Sequence, residues 1–251
     1  MKRHMFTVVS AITLITMLLC LTKQVSAAPL FHEDFNDGSV DGLNIISGSW
    51  TVLNQQFNVS QSSDFDYVVT QTATGSDYTV EVETTHLSGY TSTGILARYQ
   101  DTDNYYEIAL DAFADDNNAL PSRALAIYKV STSPTQVGAL ATYTQTVPSN
   151  PYLHLLAGKS FPIGLNQPYT LETSLIGNTI SVYIDGNLEL SVVDTDNPYL
   201  AGKMGLYSYK TESSFDNFIV NAVIVPEPIS STLFIIGGAT LGLRRFMRGR
   251  K

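Results

Sequence analysis

The chain has 251 residues, 44% of them hydrophobic and 15% charged, with a formal net charge of −9 and one cysteine. That length gives one sizeable domain with short segments at its ends. The excess of acid argues against nucleic acid or anionic lipid as partners, since phosphates would be repelled, and a lone cysteine excludes a disulfide framework.

Residues 1–27 read as a secretory signal peptide. Lys2, Arg3 and His4 make a basic start, residues 5–21 are almost uniformly apolar or small, and Val25, Ser26 and Ala27 present small side chains to a signal peptidase. Cleavage is expected after Ala27, because a cut after Ala28 would leave Pro29 at the new terminus. Cys20 falls inside this segment, and Leu19 before it lacks the small side chain a lipoprotein signal needs. The exported chain is therefore cysteine-free, leaving His and carboxylates as its metal ligands.

Residues 28–222 form the expected domain. Eight of the 14 basic residues lie in the two ends, so this domain keeps only Arg98, Arg123, Lys129, Lys159, Lys203 and Lys210. Its dominant pattern is period-two alternation, the mark of half-buried strands. Tyr78, Val80 and Val82 alternate with Glu81 and Glu83, and residues 169–175 and 179–184 repeat the pattern. Further strands are expected at 49–53, 56–59, 94–100, 105–110, 125–130, 138–143, 188–193, 203–207 and 215–223. Gly177-Asn178 and Asp185-Gly186 mark turns, the second being a strong hairpin signal because both central residues of a type I′ turn need positive φ. No stretch sustains helical spacing. Many short strands with such turns indicate an antiparallel sandwich. The longest expected loops are 111–122, with Asp115 and Asp116, and 144–167, with Pro148, Pro151 and His154.

Residues 223–251 differ in kind. Val225-Pro226-Glu227-Pro228 precedes an apolar stretch over 229–243, and Arg244, Arg245, Arg248, Arg250 and Lys251 end the chain. This order resembles the PEP-CTERM sorting signal. The resemblance implies handling by exosortase, a membrane protease-transpeptidase of Gram-negative bacteria. The apolar segment, a hydrophobic sorting helix, would sit transiently in the inner membrane with its arginines cytoplasmic. Pro226, Glu227 and Pro228 would then be extended and accessible at the outer face. About 15 apolar residues interrupted by Gly237, Gly238 and Gly242 make a marginal permanent span.

The domain also carries a resemblance. Phe31-His-Glu-Asp-Phe35-Asn-Asp-Gly38, Gly48-Ser-Trp50, Asp103-Asn-Tyr-Tyr-Glu-Ile108, Gly202-Lys-Met-Gly-Leu-Tyr207 and Ser214-Phe-Asp-Asn-Phe218 occur in the order found in concanavalin A-like, laminin-G-type modules. The fold this implies is an all-β antiparallel jelly-roll β-sandwich, with residues 144–167 as an insertion.

That fold hosts enzymes and lectins alike, so function must be read from residues. Glu81-Val-Glu83-Thr-Thr-His86 is the nearest approach to a glycosidase carboxylate motif. It lacks the third acid, and alternation makes Glu81 and Glu83 the solvent face of a strand. His86 and His154 stand alone, and no nucleophile arrangement is present, so no catalytic residue is assigned. A structural calcium ion is the cofactor expectation, because the resemblance places the segments carrying Asp34, Asp37 and Asp216 on neighbouring strands and hard cations take carboxylate oxygens. The pairs Asp101/Asp103, Asp115/Asp116 and Asp194/Asp196 read as loop solvation. For a sugar ligand, stacking aromatics beside polar groups are needed, and Arg98, Tyr105, Tyr106, Tyr128 and Tyr207 are the candidates. Arg98 has Glu107 as an alternative partner across the sheet.

The reading is an exported cell-envelope protein with a non-catalytic carbohydrate-binding or adhesion module, whose partners are exosortase, the secretion machinery and a polysaccharide. The alternatives are a structural matrix protein without a small ligand and a polysaccharide-active enzyme.

Overall fold

The computed structural model describes residues 28–61, 65–111, 123–131 and 153–223. The signal peptide, the sorting tail beyond Val223, the expected strand at 138–143 and the Asp115/Asp116 pair lie outside the described residues.

Every regular element among the described residues is a strand, and every pairing is antiparallel. They are β1 (Phe31–Glu33), β2 (Leu43–Ile45), β3 (Trp50–Leu53), β4 (Gln56–Val59), β5 (Phe65–Gly75), β6 (Tyr78–Asp101), β7 (Asn104–Asp111), β8 (Ala124–Val130), β9 (Leu153–Ser160), β10 (Pro168–Ile176), β11 (Thr179–Ile184), β12 (Asn187–Val193) and β13 (Gly202–Ala222).

Two of these strands organise the rest. β6 has 24 residues and β13 has 21, and they pair along nearly their whole length. The sequence divides each into two strands; the structure makes each continuous through a bend. At the bend Gly89 has φ +97°, and a Cβ there would come within 2.7 Å of the Thr211 backbone. Lys210 opposite also takes positive φ, and the register shifts between Tyr209 and Thr211. Glycine is required where backbones approach this closely at positive φ.

On one side of the bend the order is β12–β11–β10–β6–β13–β4–β3, with β1 also on β13. On the other it is β2–β5–β13–β6–β7–β8–β9. These halves are the two layers of a sandwich. The tight connections follow local chemistry. Asp185 and Gly186 both take positive φ between β11 and β12, as the hairpin signal requires, and Asn54 and Gln55 do the same between β3 and β4.

The core between the layers draws on both. Val80, Val82, Leu171, Leu175, Ile180, Val182, Phe215 and Val220 come from the first sheet, and Val68, Ile95, Ile108, Leu110, Leu125, Ile127 and Leu206 from the second. Trp50 stacks on Phe57 at 4.9 Å and Phe35 on Phe57 at 5.0 Å, closing the β3–β4 side. Two expectations need correction. Residues 153–160, read as part of an insertion loop, form β9 and extend the second sheet beside β8. Asp194, read as loop solvation, is buried: it accepts hydrogen bonds from Lys129 Nζ at 2.9 Å and from the Tyr106 hydroxyl at 2.6 Å.

Candidate ligand-binding face

Side chains alternate along a strand, so each sheet turns one set of residues to the core and the other outward. On the second sheet the outward set is largely apolar and aromatic, with two acids among it. β7 contributes Tyr105, Glu107, Ala109 and Asp111, β8 contributes Ala124, Ala126, Tyr128 and Val130, and β13 contributes Tyr207. Register pairs them across the sheet: Tyr105 faces Val130, Glu107 faces Tyr128, and Ala109 faces Ala126. All of these but Glu107 and Asp111 form a second buried cluster with Tyr67, Val69, Leu96, Tyr99 and Leu153, drawn entirely from this sheet's own strands. Its members are 0–9% exposed.

An aromatic row crosses this face from end to end. Tyr209 stacks on Phe65 at 4.1 Å, and Phe65 on Tyr67 at 5.7 Å. Tyr67 meets Tyr105 edge-on at 5.9 Å, and Tyr105 lies 5.8 Å from Tyr99. The Tyr67 and Tyr105 hydroxyls share a hydrogen bond of 2.9 Å. Phe65 and Tyr209 are half-buried, whereas Tyr67, Tyr99 and Tyr105 are buried. The Lys210 ammonium lies 4.8 Å from the Tyr209 ring centroid, placing a cation at the more open end.

One ionisable group stands among the rings. Glu107 is 3% exposed. Burial pushes its carboxyl up to about 8, against a smaller lowering by Tyr207 and with a further rise from Asp111. The Tyr207 hydroxyl is near enough to influence Glu107, yet neither it nor Glu107 Oε2 has a hydrogen-bond partner of proper geometry. Tyr207 stands beside Gly94, with its ring edge 3.4 Å from where a Cβ would be.

Of the five expected ligand residues, three share this face: Tyr105, Tyr128 and Tyr207. The other two do not. Tyr106 faces the inter-sheet core, and its hydroxyl donates to Asp194 and accepts from Tyr199 N at 2.9 Å. Arg98 is fully buried. Its guanidinium donates to the carbonyl oxygens of Gly177 (2.6 Å), Tyr199 (2.6 Å) and Ser76 (2.7 Å), with Asp77 at 3.7 Å. It therefore clamps three connections at one end of the sandwich and does not pair with Glu107. The reason is local: Arg98 takes φ 49° in a bulge between Ala97 and Asp101, which turns it off the face that alternation assigns it. Phe65, Tyr67, Tyr99, Tyr209 and Glu107 belong to the face but were not among the sequence candidates. Glu107 was legible two positions from Tyr105 on one strand.

The expected calcium ligands are only partly assembled. Asp34 and Asp216 are neighbours: burial raises the Asp216 carboxyl, and the charges of Glu83 and Asp34 raise it further. Asp37 instead accepts from Ser39 N at 2.8 Å and Ser39 Oγ at 2.7 Å, and Asp34 accepts from Asn36 N at 3.1 Å. Glu33 folds this turn by accepting from Phe35 N and Asp41 N. Among the described residues no group of three or more His, Cys, Asp or Glu side chains is arranged to hold a metal ion. The two histidines are far from catalytic tuning. Burial holds His86 down to about 4, and His154 is also lowered by burial.

Neither a family model nor a curated protein matches the chain. Solved structures do. The carbohydrate-binding module CBM66 from Bacillus subtilis is similar over 72% of this chain and 96% of its own, at 21% identity and a TM-score of 0.57. A Bacillus subtilis protein of unknown function with a galectin-like fold matches over 78% and 97%, at 14% identity and a TM-score of 0.56. The exoplasmic/lumenal domain of VIP36, in a form bound to Ca2+ and Man3GlcNAc, matches over 81% and 92%, at 10% identity and a TM-score of 0.57. The GH43 protein BlXynB from Bacillus licheniformis is matched over only 41% of its length. Likeness at these identities establishes the fold, an antiparallel jelly-roll β-sandwich.

Proposed function

We propose that this domain is a non-catalytic carbohydrate-binding or adhesion module, and that the chain is exported, sorted by exosortase through Pro226, Glu227 and Pro228, and displayed at the cell envelope. The observation that carries the binding reading is the aromatic row from Tyr209 through Phe65, Tyr67 and Tyr105 to Tyr99 on one sheet face. Sugar rings present apolar C–H faces that stack on such rings, and neighbouring polar groups take the hydroxyls. The carbohydrate-binding module and the sugar-bound lumenal domain that share this fold support the same reading. His86 and His154 are both held below the ordinary imidazole range by burial, which favours binding over catalysis.

The test is a retention assay of the purified protein on a panel of soluble and insoluble polysaccharides, with and without chelator. Saturable retention that falls about tenfold, or 1.4 kcal/mol, in a Phe65→Ala/Tyr209→Ala variant supports the reading. Release of reducing ends or unsaturated products would replace it with an enzyme. Loss of retention on chelation would reopen the case for calcium.

A structural matrix protein is the second reading, favoured by the acidic outer face of the first sheet. There Glu81 lies opposite Glu172, and Glu83 opposite Asp216. Absence of retention on every polymer would select it. The sorting proposal is separately testable: a Glu227→Ala variant should accumulate in the inner membrane, and unchanged release to the envelope would refute exosortase processing.

A further inference from the structure

Both termini of the domain emerge at one end of the sandwich. Leu30 N donates to Val220 O at 2.7 Å just before β1, and Val223 N donates to Asp77 O at 3.1 Å just after β13. The signal peptide before the domain and the tail after it are therefore joined to it side by side. β6 doubles back at Gly89, so its two ends meet here too: Arg98 N donates to the hydroxyl of Tyr78, its first residue, at 2.7 Å. The bend, with Gly89, Tyr209 and Lys210, forms the opposite end.

Large apolar side chains reach solvent at the end that carries the termini. Ile176 and Val193 are 45% and 52% exposed, and they flank Thr179 in one row across β10, β11 and β12. Leu200 is 55% exposed. Arg98 Nη1 donates to both Tyr199 O and Gly177 O, which sets the Leu200 loop against the turn after Ile176. Leu30, 41% exposed, places its Cδ1 3.5 Å from where a Gly75 Cβ would be, and Gly75 is the register partner of Gly202. Exposed apolar groups gathered in one place mark a surface that meets another. The chain beyond Val223 says which. Only residues 224–228 separate it from the apolar stretch 229–243, and fully extended they span about 18 Å. The nine residues of β10 put the opposite end about 30 Å farther away. An apolar stretch seated in a bilayer would thus keep the Leu200 end, and not the Gly89 end, within reach of the lipid.

Building on the reading of residues 229–243 as a segment seated in the inner membrane, we propose that the end carrying Leu30, Ile176, Val193 and Leu200 is a membrane-contact surface on which the domain stands before it is sorted. Its partner is a zwitterionic lipid surface. Asp77, Asp101 and Asp103 lie at the same end, so anionic headgroups would be repelled. Standing this way, the domain turns Tyr209, Phe65 and Lys210, the more open end of the aromatic row, away from the membrane.

The experiment uses the exported chain with its tail, residues 28–251, in phosphatidylcholine vesicles that carry a nitroxide on a fraction of their headgroups. Cys20 is absent from that chain, so a single cysteine can be introduced and given a fluorophore. Thr179→Cys reports from the apolar end and Leu165→Cys, before β10, from the opposite end. The expected result is quenching several-fold stronger at Thr179 than at Leu165. Adding Ile176→Ser and Leu200→Ser to the Thr179→Cys chain should reduce its quenching several-fold, with sedimentation on vesicles and thermal midpoint unchanged. Equal quenching at the two ends overturns the proposal and leaves the tail reading standing. Quenching that ignores the serine substitutions does the same, because tethering alone then explains the proximity. Stronger quenching with phosphatidylglycerol vesicles overturns the choice of a zwitterionic partner. A chain that does not sediment with vesicles at all defeats the tail reading and this proposal with it.

Discussion

The two outer faces of the sandwich are made largely by the same two strands, yet they share almost no chemistry. Before the bend, β6 turns Thr79, Glu81 and Glu83 to solvent, and β13 answers with Asp216. Beyond the bend β6 turns out Gly94, Leu96 and Tyr99, and β13 turns out Tyr207. Whole-domain charge is therefore a poor guide to any surface, because the acids crowd one face and the aromatics the other. Alternation decides which residues point outward, and the bend at Gly89 decides which layer they join.

The harshest way to break this contrast is to release the end of β6 that both layers depend on. Arg98 ties the second-sheet half of β6 to the first-sheet turns at Ser76 and Gly177 and to the loop at Tyr199. Arg98→Met removes the charge and leaves those buried carbonyl oxygens without their donor. Loss of a buried, hydrogen-bonded charge costs about 3–5 kcal/mol, so chemical denaturation should show a much lower midpoint. A change within 1 kcal/mol would show that the clamp does not hold the layers together. Gly94→Ala comes next. A Cβ at this position would lie 2.0 Å from the Ile108 carbonyl oxygen, so the strand or its neighbour must move. Overpacking of this kind costs about 1–3 kcal/mol, and Tyr207 should shift with it, visible as altered tyrosine fluorescence or hydrogen exchange in β13.

Much of this arrangement was legible beforehand, and the failures have physical causes. The half-buried strands β10 and β11 announce themselves through clean alternation, with burial switching at every residue over 169–175 and 179–184. β5 escaped because residues 66–70 are buried on both faces, and a period-two search cannot see a strand without a polar side. β9 escaped behind Pro148 and Pro151, and its Gly158 reads as loop chemistry. At the site, Tyr105, Tyr128 and Tyr207 were named together with Tyr106 because all lie on strands expected at the centre of the sheets, and only the observed register shows which of them share a face. Arg98 was misplaced because a single bulge reverses strand parity, and composition carries no trace of it.

The contrast sharpens when pH is varied, because buried Glu107 and buried His86 pull stability in opposite directions. Glu107 is raised from 4.5 to about 8 in the fold. Its favourable contribution is complete below 4.5 and is lost as pH rises through 8. His86 is lowered from 6.5 to about 4, so its contribution is complete above 6.5 and is lost as pH falls toward 4. Between 4.5 and 6.5 the two slopes cancel. From 6.5 to 8 Glu107 acts alone, and stability should fall by about 1.4 kcal/mol per pH unit. In Glu107→Gln that decline should vanish, leaving only the loss on the acid side. A wild-type profile flat to pH 8.5 would mean that Glu107 is solvated and ionises normally.

The gentlest test lies on the acidic face. Glu81 and Glu172 are direct cross-strand partners of like charge. Burial raises the Glu172 carboxyl, and the charge of Glu81 raises it further. Like charges placed directly opposite destabilise a sheet by about 0.2–1 kcal/mol, so Glu172→Gln should stabilise the fold slightly. The gain should shrink in high salt, where partly exposed charges are screened. The neighbouring Glu83 and Asp216 should behave alike, although Asn217 Nδ2 donates to Glu83 Oε1 at 3.1 Å and will blunt the effect of changing Glu83. If Glu172→Gln destabilises instead, the carboxylates are not idle neighbours. Their repulsion would then be retained for a partner that the acidic face meets, and the structural-matrix reading would gain what the aromatic face loses.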